Sequence, residues 1–256
     1  SRNGNVFSLD EDGHLKNKYY EAHMNTSSDL NLMLKTKKND LWLIQDQQIT
    51  VIDFLSYLSV VNIQDFQGYV QDLAITRSGL FIGGSEGVYK SNGNFRELIK
   101  GNGKKVNPYN NGIVALVDHT LIYLDDSDQK ILFPGEVLDF ALDPFSQKVL
   151  VITDENVWIL NIIKQQEMID VTPDNGIYYL PFIHRGDFCY LSDHEFIIHS
   201  PKSDQSTKIS LPGYMKNSDI FQIFLLNEKI ALHTIYGIYT IQDQGISRSD
   251  FFDKYI

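Results

Sequence analysis

Gly79-Leu80-Phe81-Ile82-Gly83-Gly84-Ser85-Glu86-Gly87-Val88-Tyr89-Lys90-Ser91-Asn92 is one of six fourteen-residue stretches built on one plan. The others begin at Asp40, Gly112, Lys148, Asp187 and Lys229, so successive starts lie 39, 33, 36, 39 and 42 residues apart. Each holds two apolar halves, such as Leu41 to Ile44 and Ile49 to Ile52, on either side of a short polar or turn-forming segment. That is the pattern of a β-hairpin. Self-similarity at this period marks a repeat architecture, in which each unit needs its neighbour to cover its apolar faces.

The first half of the hairpin is often apolar at every position, as in Val149-Leu150-Val151-Ile152. Such a run suits a strand covered on both faces. Ahead of most hairpins lies another apolar segment: Leu30 to Leu34, Val70 to Ile75, Val137 to Leu142, Ile177 to Ile183 and Ile220 to Leu226. Behind most lies a shorter, more polar one, such as Asn94 to Ile99 or Gln166 to Val171. Labelled a, b, c and d in chain order, these four strands describe a β-propeller blade with a solvated outer edge.

The pattern predicts an all-β chain, a single propeller domain over 1–256, with full blades at about 30–63, 70–99, 106–134, 136–171, 177–211 and 219–252. A half blade at 5–20, turning at Asp12-Gly13, makes six and a half, part of a seven-bladed ring. Either the missing half lies outside this sequence or the N-terminal pair completes the last blade. The third repeat departs most from the plan: Val106-Asn107-Pro108-Tyr109-Asn110 reads as a distorted strand or a loop, because proline cannot donate to a ladder. Met215 to His233 is apolar enough for a buried helix, but it also fits strands a and b in register with its sister repeats.

A formal charge of −11 argues against nucleic acid as a partner, since phosphate binding requires a basic face. Lys100, Lys104 and Lys105 form a basic cluster in a glycine-rich segment that reads as a solvated loop. One cysteine, Cys189, excludes an internal disulfide, so packing must supply the stability. No stretch is long and apolar enough to span a bilayer, and SRNGNVFSLDEDG holds no signal region, so the chain reads as a processed or excised piece without membrane contact of its own.

Aligning the hairpins puts Asp46, Ser85, Asp118, Asp154, Asp193 and Ile235 in one column, in the turn between b and c. Aspartate in a turn accepts bonds from nearby backbone amides, which accounts for the column without a ligand. The functional alternative is a ring of carboxylates at one mouth of the propeller, binding a cation or a basic partner. The next column, Gln47, Glu86, His119, Glu155, His194 and Tyr236, varies as a recognition surface would.

His184, Cys189, His194 and His199 fall five apart, which alternates faces along a strand and does not match tetrahedral zinc spacing. Asp125-Asp126-Ser127-Asp128 lacks the ligand spread of a calcium loop, and Gly101-Asn102-Gly103-Lys104-Lys105 lacks the length of a phosphate loop. No metal, cofactor or catalytic set is expected.

The segment Ser78 to Lys90 followed by Gly93-Asn94-Phe95 resembles the propeller repeat of bacterial two-component regulators, where a Gly-Leu-aromatic-Ile-Gly strand leads through a glycine turn to Gly-Leu-x-x-aromatic. The resemblance covers about twenty residues; the other repeats keep the apolar positions and lose the glycines. It implies a periplasmic sensor domain, often tuned to oligosaccharides. Tryptophan-aspartate repeat propellers share the turn aspartate but not the Trp-Asp or the preceding His.

The expected function is therefore non-catalytic binding or sensing of a small molecule, oligosaccharide or protein, as the ectodomain piece of a bacterial signalling regulator. An intracellular interaction scaffold and a carbohydrate-active propeller enzyme are the alternatives. The compartment is periplasmic or extracellular for a sensor and cytoplasmic for a scaffold. Candidate contacts are Asp46, Glu86, Asp118, His119, Asp154, Glu155, Asp193, His194 and Tyr236, with the loops Glu21 to Asp29, Lys100 to Asn111 and Leu211 to Asp219 and the tyrosines Tyr109 and Tyr214.

Overall fold

Strand b of the fifth repeat, Asp187–Leu191, shows why the apolar runs in this chain are continuous. Phe188 and Tyr190 point into a core shared with Leu150, Ile152, Val157 and Ile159 of the fourth repeat. Cys189 and Leu191 point the opposite way, into a core with Ile220, Ile223, Leu232 and Tyr239 of the sixth. Successive side chains of a strand alternate faces, so a sheet sandwiched between two others buries every position. A corresponding core joins the second and third repeats through Phe81, Val88, Val106, Ile113 and Ala115. The cores lie between blades, and each buried large side chain contributes about 1.5–3 kcal/mol through removal from water.

The computed structural model describes residues 68–249, apart from 92–94, 165–166, 174–175, 227 and 243–244, together with the backbone of strands Val6–Leu9, Leu15–Tyr19, Leu30–Lys35, Asp40–Gln45, Gln48–Asp53 and Leu58–Asn62. It is an all-β protein of the propeller class: six four-stranded antiparallel sheets, each an a-b-c-d meander in sequence order, and one two-stranded hairpin. Numbered in chain order, the full blades span 30–62, 70–100, 103–131, 139–170, 179–210 and 220–248. The segment that also suited a helix is strand a, Ile220–Leu226, and strand b, Lys229–Thr234.

The chain forms two compact units, Ser1–Asp118 with Ile122–Lys130, and His119–Leu121 with Ile131–Ile256. In the first, strand a of blade 3 packs beside strand a of blade 2. The Asp72 carboxylate of blade 2 accepts a 2.8 Å hydrogen bond from the Val106 amide of blade 3, tying the two strands together. In the second, strands a of blades 4, 5 and 6 follow one another in the same way. Strands d are the solvated ones: Gln129–Ile131 and Met168–Asp170 are exposed throughout.

Two expectations for the third repeat are corrected. Its first strand is not a loop, nor is it distorted at Pro108: Gly103–Tyr109 pairs with Gly112–Val117 through to Tyr109, with Pro108 opposite Ile113. Strand a is a sheet edge, paired on one side only, where proline costs no ladder bond if its nitrogen faces the open side. Lys104 and Lys105 accordingly sit on a strand and not in a flexible loop. The irregularity that the sequence signals is a register shift between Gly103 and Lys105. Similar shifts occur near the start of strand a in blades 1, 2, 5 and 6, so it belongs to the blade plan.

Candidate functional site

The turns between strands b and c hold the segments that connect one blade to the next. In blade 2 the Ser85 amide donates to the Tyr69 carbonyl at 3.0 Å, and the Tyr69 amide donates to Ser85 Oγ at 3.2 Å. Blade 3 repeats this: the Asp118 amide donates to the Asn102 carbonyl at 3.2 Å, and the Asn102 amide donates to Asp118 Oδ1 at 2.8 Å. In both cases the partners are sixteen residues apart. Blade 6 has Ile235 in this column; with no side-chain acceptor it retains the backbone half alone, Ile235 amide to Asp219 carbonyl at 2.9 Å. A second set of bonds grips the outgoing connection: the amides of Gly101, Val137 and Leu211 donate to the carbonyls of Glu86, His119 and His194 at 3.1, 2.8 and 2.8 Å.

Asp118 and His119 both have positive φ, 45° and 63°, between strand b ending at Val117 and strand c beginning at Thr120. This is the two-residue hairpin whose twist matches that of its strands, and aspartate tolerates the left-handed region better than most residues. Glycine precedes the latched residue in both blades. Gly68 has φ +86° and Gly101 has φ +123°, and a Cβ on either would run into Ser85 Oγ or Asp118 Oδ2. Close approach of the connection to the turn is thus written into Gly68-Tyr69…Ser85 and Gly101-Asn102…Asp118.

Blade 5 has the same phrase, Gly176-Ile177…Asp193, at the same spacing. Here Gly176 is not in the left-handed region. Its missing Cβ would have Asp193 Oδ2 and Tyr178 Oη as neighbours, each at a comfortable 3.8 Å. A cleft of about 300 Å³ lies beside this turn. Pro173, Gly176 and Tyr178 line it from the connection, Ser192, Asp193 and His194 from the turn, and Glu195 and Ile197 from strand c.

The walls of the cleft are set by aromatic packing beneath it. Tyr178 is only 3% exposed and meets Tyr190 edge-on at 6.0 Å, while the Tyr190 hydroxyl donates to the Val171 carbonyl at 3.3 Å. The Tyr179 hydroxyl donates to the Ser192 carbonyl at 3.4 Å. Burial, and then the charge of Asp193, raises the Tyr179 phenol well above its usual value, so it stays a donor. Glu195 lies 3.7 Å from the Lys208 ammonium.

The remaining candidates are placed differently. Asp154 and Glu155 are exposed on a turn organised by Thr153, whose Oγ1 accepts from the Asn156 amide at 2.9 Å. Glu86 and His119 are exposed side chains whose carbonyls serve the connection; His119 Nδ1 also lies 3.3 Å from the Val137 carbonyl. Asp46 and the loop Glu21 to Asp29 lie outside the described residues. Tyr236 pairs with Tyr214 across blade 6, edge-on with centroids 5.5 Å apart, 41% and 57% exposed. Tyr109, expected at the surface, is buried at 4% because its strand packs as an ordinary strand a. For the same reason the connection into blade 3 is Gly101-Asn102 and not a loop from Lys100 to Asn111.

His199 is buried between Ser206 Oγ, at 3.0 Å, and Asp204, and Cys189 is buried with its thiol pushed up to about 12 by desolvation, with a smaller contribution from Asp187. Among the described residues no three His, Cys, Asp or Glu side chains lie together so as to hold a metal ion. Asp125 accepts from the Ser127 and Asp128 amides in the c–d turn of blade 3, and these bonds hold its carboxyl down at about 2.

Sequence reasoning missed Tyr178, Ser192, Glu195 and the connection after Thr172. Glycine seventeen residues ahead of the turn column, present at Gly68, Gly101 and Gly176, was the signal available.

No family model and no curated protein sequence matches this chain. Solved structures do. The extracellular domain of a B. thetaiotaomicron one-component or hybrid two-component system aligns in two structures with TM-scores of 0.68 and 0.66, at 16% identity, covering 95% of this chain and 38% of that one. A computationally designed protein, Ika8, aligns with TM-score 0.74 at 13% identity over 96% of this chain and 80% of its own. The dihydro-heme d1 dehydrogenase NirN, solved in complex with DHE, aligns with TM-score 0.70 at 12% identity over 95% of this chain and 60% of its own. The likeness is one of fold, and it includes the two-component-type propeller that the Gly79 repeat resembles. This chain spans well under half the length of the B. thetaiotaomicron protein.

Proposed function

We propose that this chain is a non-catalytic binding propeller that senses a small ligand as part of a bacterial signalling regulator. The observation that carries the reading is the blade-5 cleft. It lies beside the b–c turn of that blade, and its lining joins Tyr178 to several polar groups. Ligand sites are concave places of this kind, with few polar groups set in a formed wall. The resemblance of the Gly79 repeat to two-component regulators, and the fold shared with the extracellular domain of a two-component system, support the signalling part of the proposal.

One observation favours the scaffold alternative. Phe145, in the a–b turn of blade 4, is 95% exposed, and Ile163 is exposed in the c–d turn of the same blade; exposed apolar groups of this size serve protein docking.

A thermal-shift screen against small metabolites and oligosaccharides tests the proposal. A ligand present at 100 times its dissociation constant adds about 2.7 kcal/mol to the folded state, a shift of several degrees for a chain of this size. The expected result is a shift lost in Gly176→Leu, with the ligand recovered unchanged by mass spectrometry. Conversion of the ligand would establish an enzyme instead, and a shift indifferent to Gly176→Leu would remove the cleft from the account.

A further inference from the structure

We infer that an exposed corner of blade 6, formed by the rings of Tyr214 and Tyr236, binds a quaternary ammonium group, the trimethylammonium end of a small molecule. Neither ring lines the blade-5 cleft, so this is a second site and not a refinement of the first.

The b–c turn of blade 6 differs from those of blades 2 to 5. Where they place Ser85-Glu86, Asp118-His119, Asp154-Glu155 and Asp193-His194, blade 6 places Ile235-Tyr236. The connection ahead of its first strand carries Tyr214. The two rings stand perpendicular, at 89°, with centroids 5.5 Å apart, and both are open to solvent beside the exposed Ile235. Both are also held in place. The Ile235 amide donates to the Asp219 carbonyl at 2.9 Å and the Tyr236 amide to Thr234 Oγ1 at 3.0 Å, which fixes the turn. The Tyr214 hydroxyl shares a 3.0 Å hydrogen bond with that of Tyr239, which is buried, so this ring is tethered at its tip. Rings held in this way lose little freedom when a ligand arrives.

The face of a tyrosine ring is negative, and a compact cation set in the angle between two perpendicular rings meets both. A quaternary ammonium carries no N–H, so it asks for no hydrogen-bond acceptor. That decides the class, because the nearby acceptors are in use: Asp219 Oδ2 takes the Lys216 amide at 2.8 Å, and the Tyr214 hydroxyl is bonded to Tyr239. Asp219 contributes through its charge alone. Burial, and then the carboxylate of Asp219, raises the Tyr236 phenol above its usual value, which puts a negative group beside this ring. Arg248 acts on Tyr239, the buried member of the group. A flat sugar ring stacks on one face and gains little from a second at right angles, and an anion would meet negative faces and Asp219 together.

Proton NMR titration with choline at 0.15 M salt, which screens nonspecific attraction to a chain of charge −11, tests the inference. Methyl protons resting on aromatic faces shift upfield. The controls are the neutral carbon analogue of choline, with tert-butyl in place of trimethylammonium, and ethanolamine, which keeps the charge on a primary ammonium. The variants are Tyr236→Phe, which keeps the ring, and Tyr236→Leu, which removes it, with folding confirmed by circular dichroism. The expected result is saturable choline binding about threefold or more tighter than that of either control. It should weaken by about threefold or more in Tyr236→Leu and stay within about twofold of wild type in Tyr236→Phe. Equal binding of the neutral analogue would reduce the corner to an apolar patch and overturn the inference. Tighter binding of ethanolamine, choline binding unchanged in Tyr236→Leu, or no saturable choline binding would overturn it as well. Phosphatidylcholine vesicles separate the sources of the group: cosedimentation displaced by choline assigns it to a lipid headgroup, and choline binding without cosedimentation assigns it to a soluble molecule. Should Tyr236→Leu fail to fold, choline against its neutral analogue on the wild type still decides.

Discussion

The b–c turns of blades 3 and 5 carry the same pair of residues, Asp118-His119 and Asp193-His194, and use them for different ends. In blade 3 the carboxylate accepts the Asn102 amide and the turn lies against Gly101, whose positive φ makes that approach possible. In blade 5 the corresponding glycine lies in ordinary backbone space and the turn borders a cleft. An aspartate column in a repeat protein is therefore not one site repeated: Asp118 fastens a connection between blades, Asp154 sits exposed on a turn organised by Thr153, and Asp193 borders a cleft.

The largest expected effect comes from the glycines. Gly101→Ala places a Cβ against the Asp118 carboxylate at a φ that alanine avoids, and should lower stability by about 2–3 kcal/mol in urea unfolding. Gly176→Ala, with room to spare, should stay within about 0.5 kcal/mol of wild type. Equal losses at the two positions would break the comparison.

Next come the carboxylates. Asp118→Ala removes the acceptor of the Asn102 amide and should cost about 1.5–2 kcal/mol, the low end of the range for a bond to a charged group because Asp118 is exposed. Asp193→Asn leaves the Asn102 bond in place. Ser85→Ala, which keeps the amide-to-carbonyl half of its latch, should cost only about 0.5–1 kcal/mol.

How much of this was legible beforehand follows from which forces act locally. Strand pattern, hairpins and the polar outer strand all register in hydrophobic alternation, so the blades could be read directly. Blade 3 defeated that reading at Pro108, because the cost of a proline depends on whether its strand has a free edge, and that is decided by the whole sheet. The turn column was found and read as turn chemistry with nearby amides, whereas Asp118 accepts from the Asn102 amide of a distant connection. What the column could not show was the partner of each carboxylate, which lies sixteen residues away across a connection whose path depends on φ at one glycine. The cleft joins residues of a connection, a turn and strand c, such as Pro173, Asp193 and Ile197, which only the folded blade brings together.

The smallest expected effect is on acid stability. Asp125 is held at about 2, below the ordinary carboxyl value of 3.8, chiefly by its bond from the Ser127 amide. Its contribution is thus present above about pH 4 and is lost as pH falls from there toward 2. Asp125→Asn should flatten the acid limb of the stability profile in that window and leave stability near neutral pH slightly lower; an unchanged acid limb would show that the turn bonds do not hold the carboxyl down.

The most direct measurement of the central claim is the hydrogen exchange of the Asn102 amide, followed by NMR in the wild type, in Asp118→Ala and in Asp193→Asn. If turn carboxylates fasten the connections, this amide is protected in the wild type and in Asp193→Asn, and its protection falls by about tenfold or more in Asp118→Ala. An Asn102 amide that exchanges at one rate in all three proteins would contradict the account.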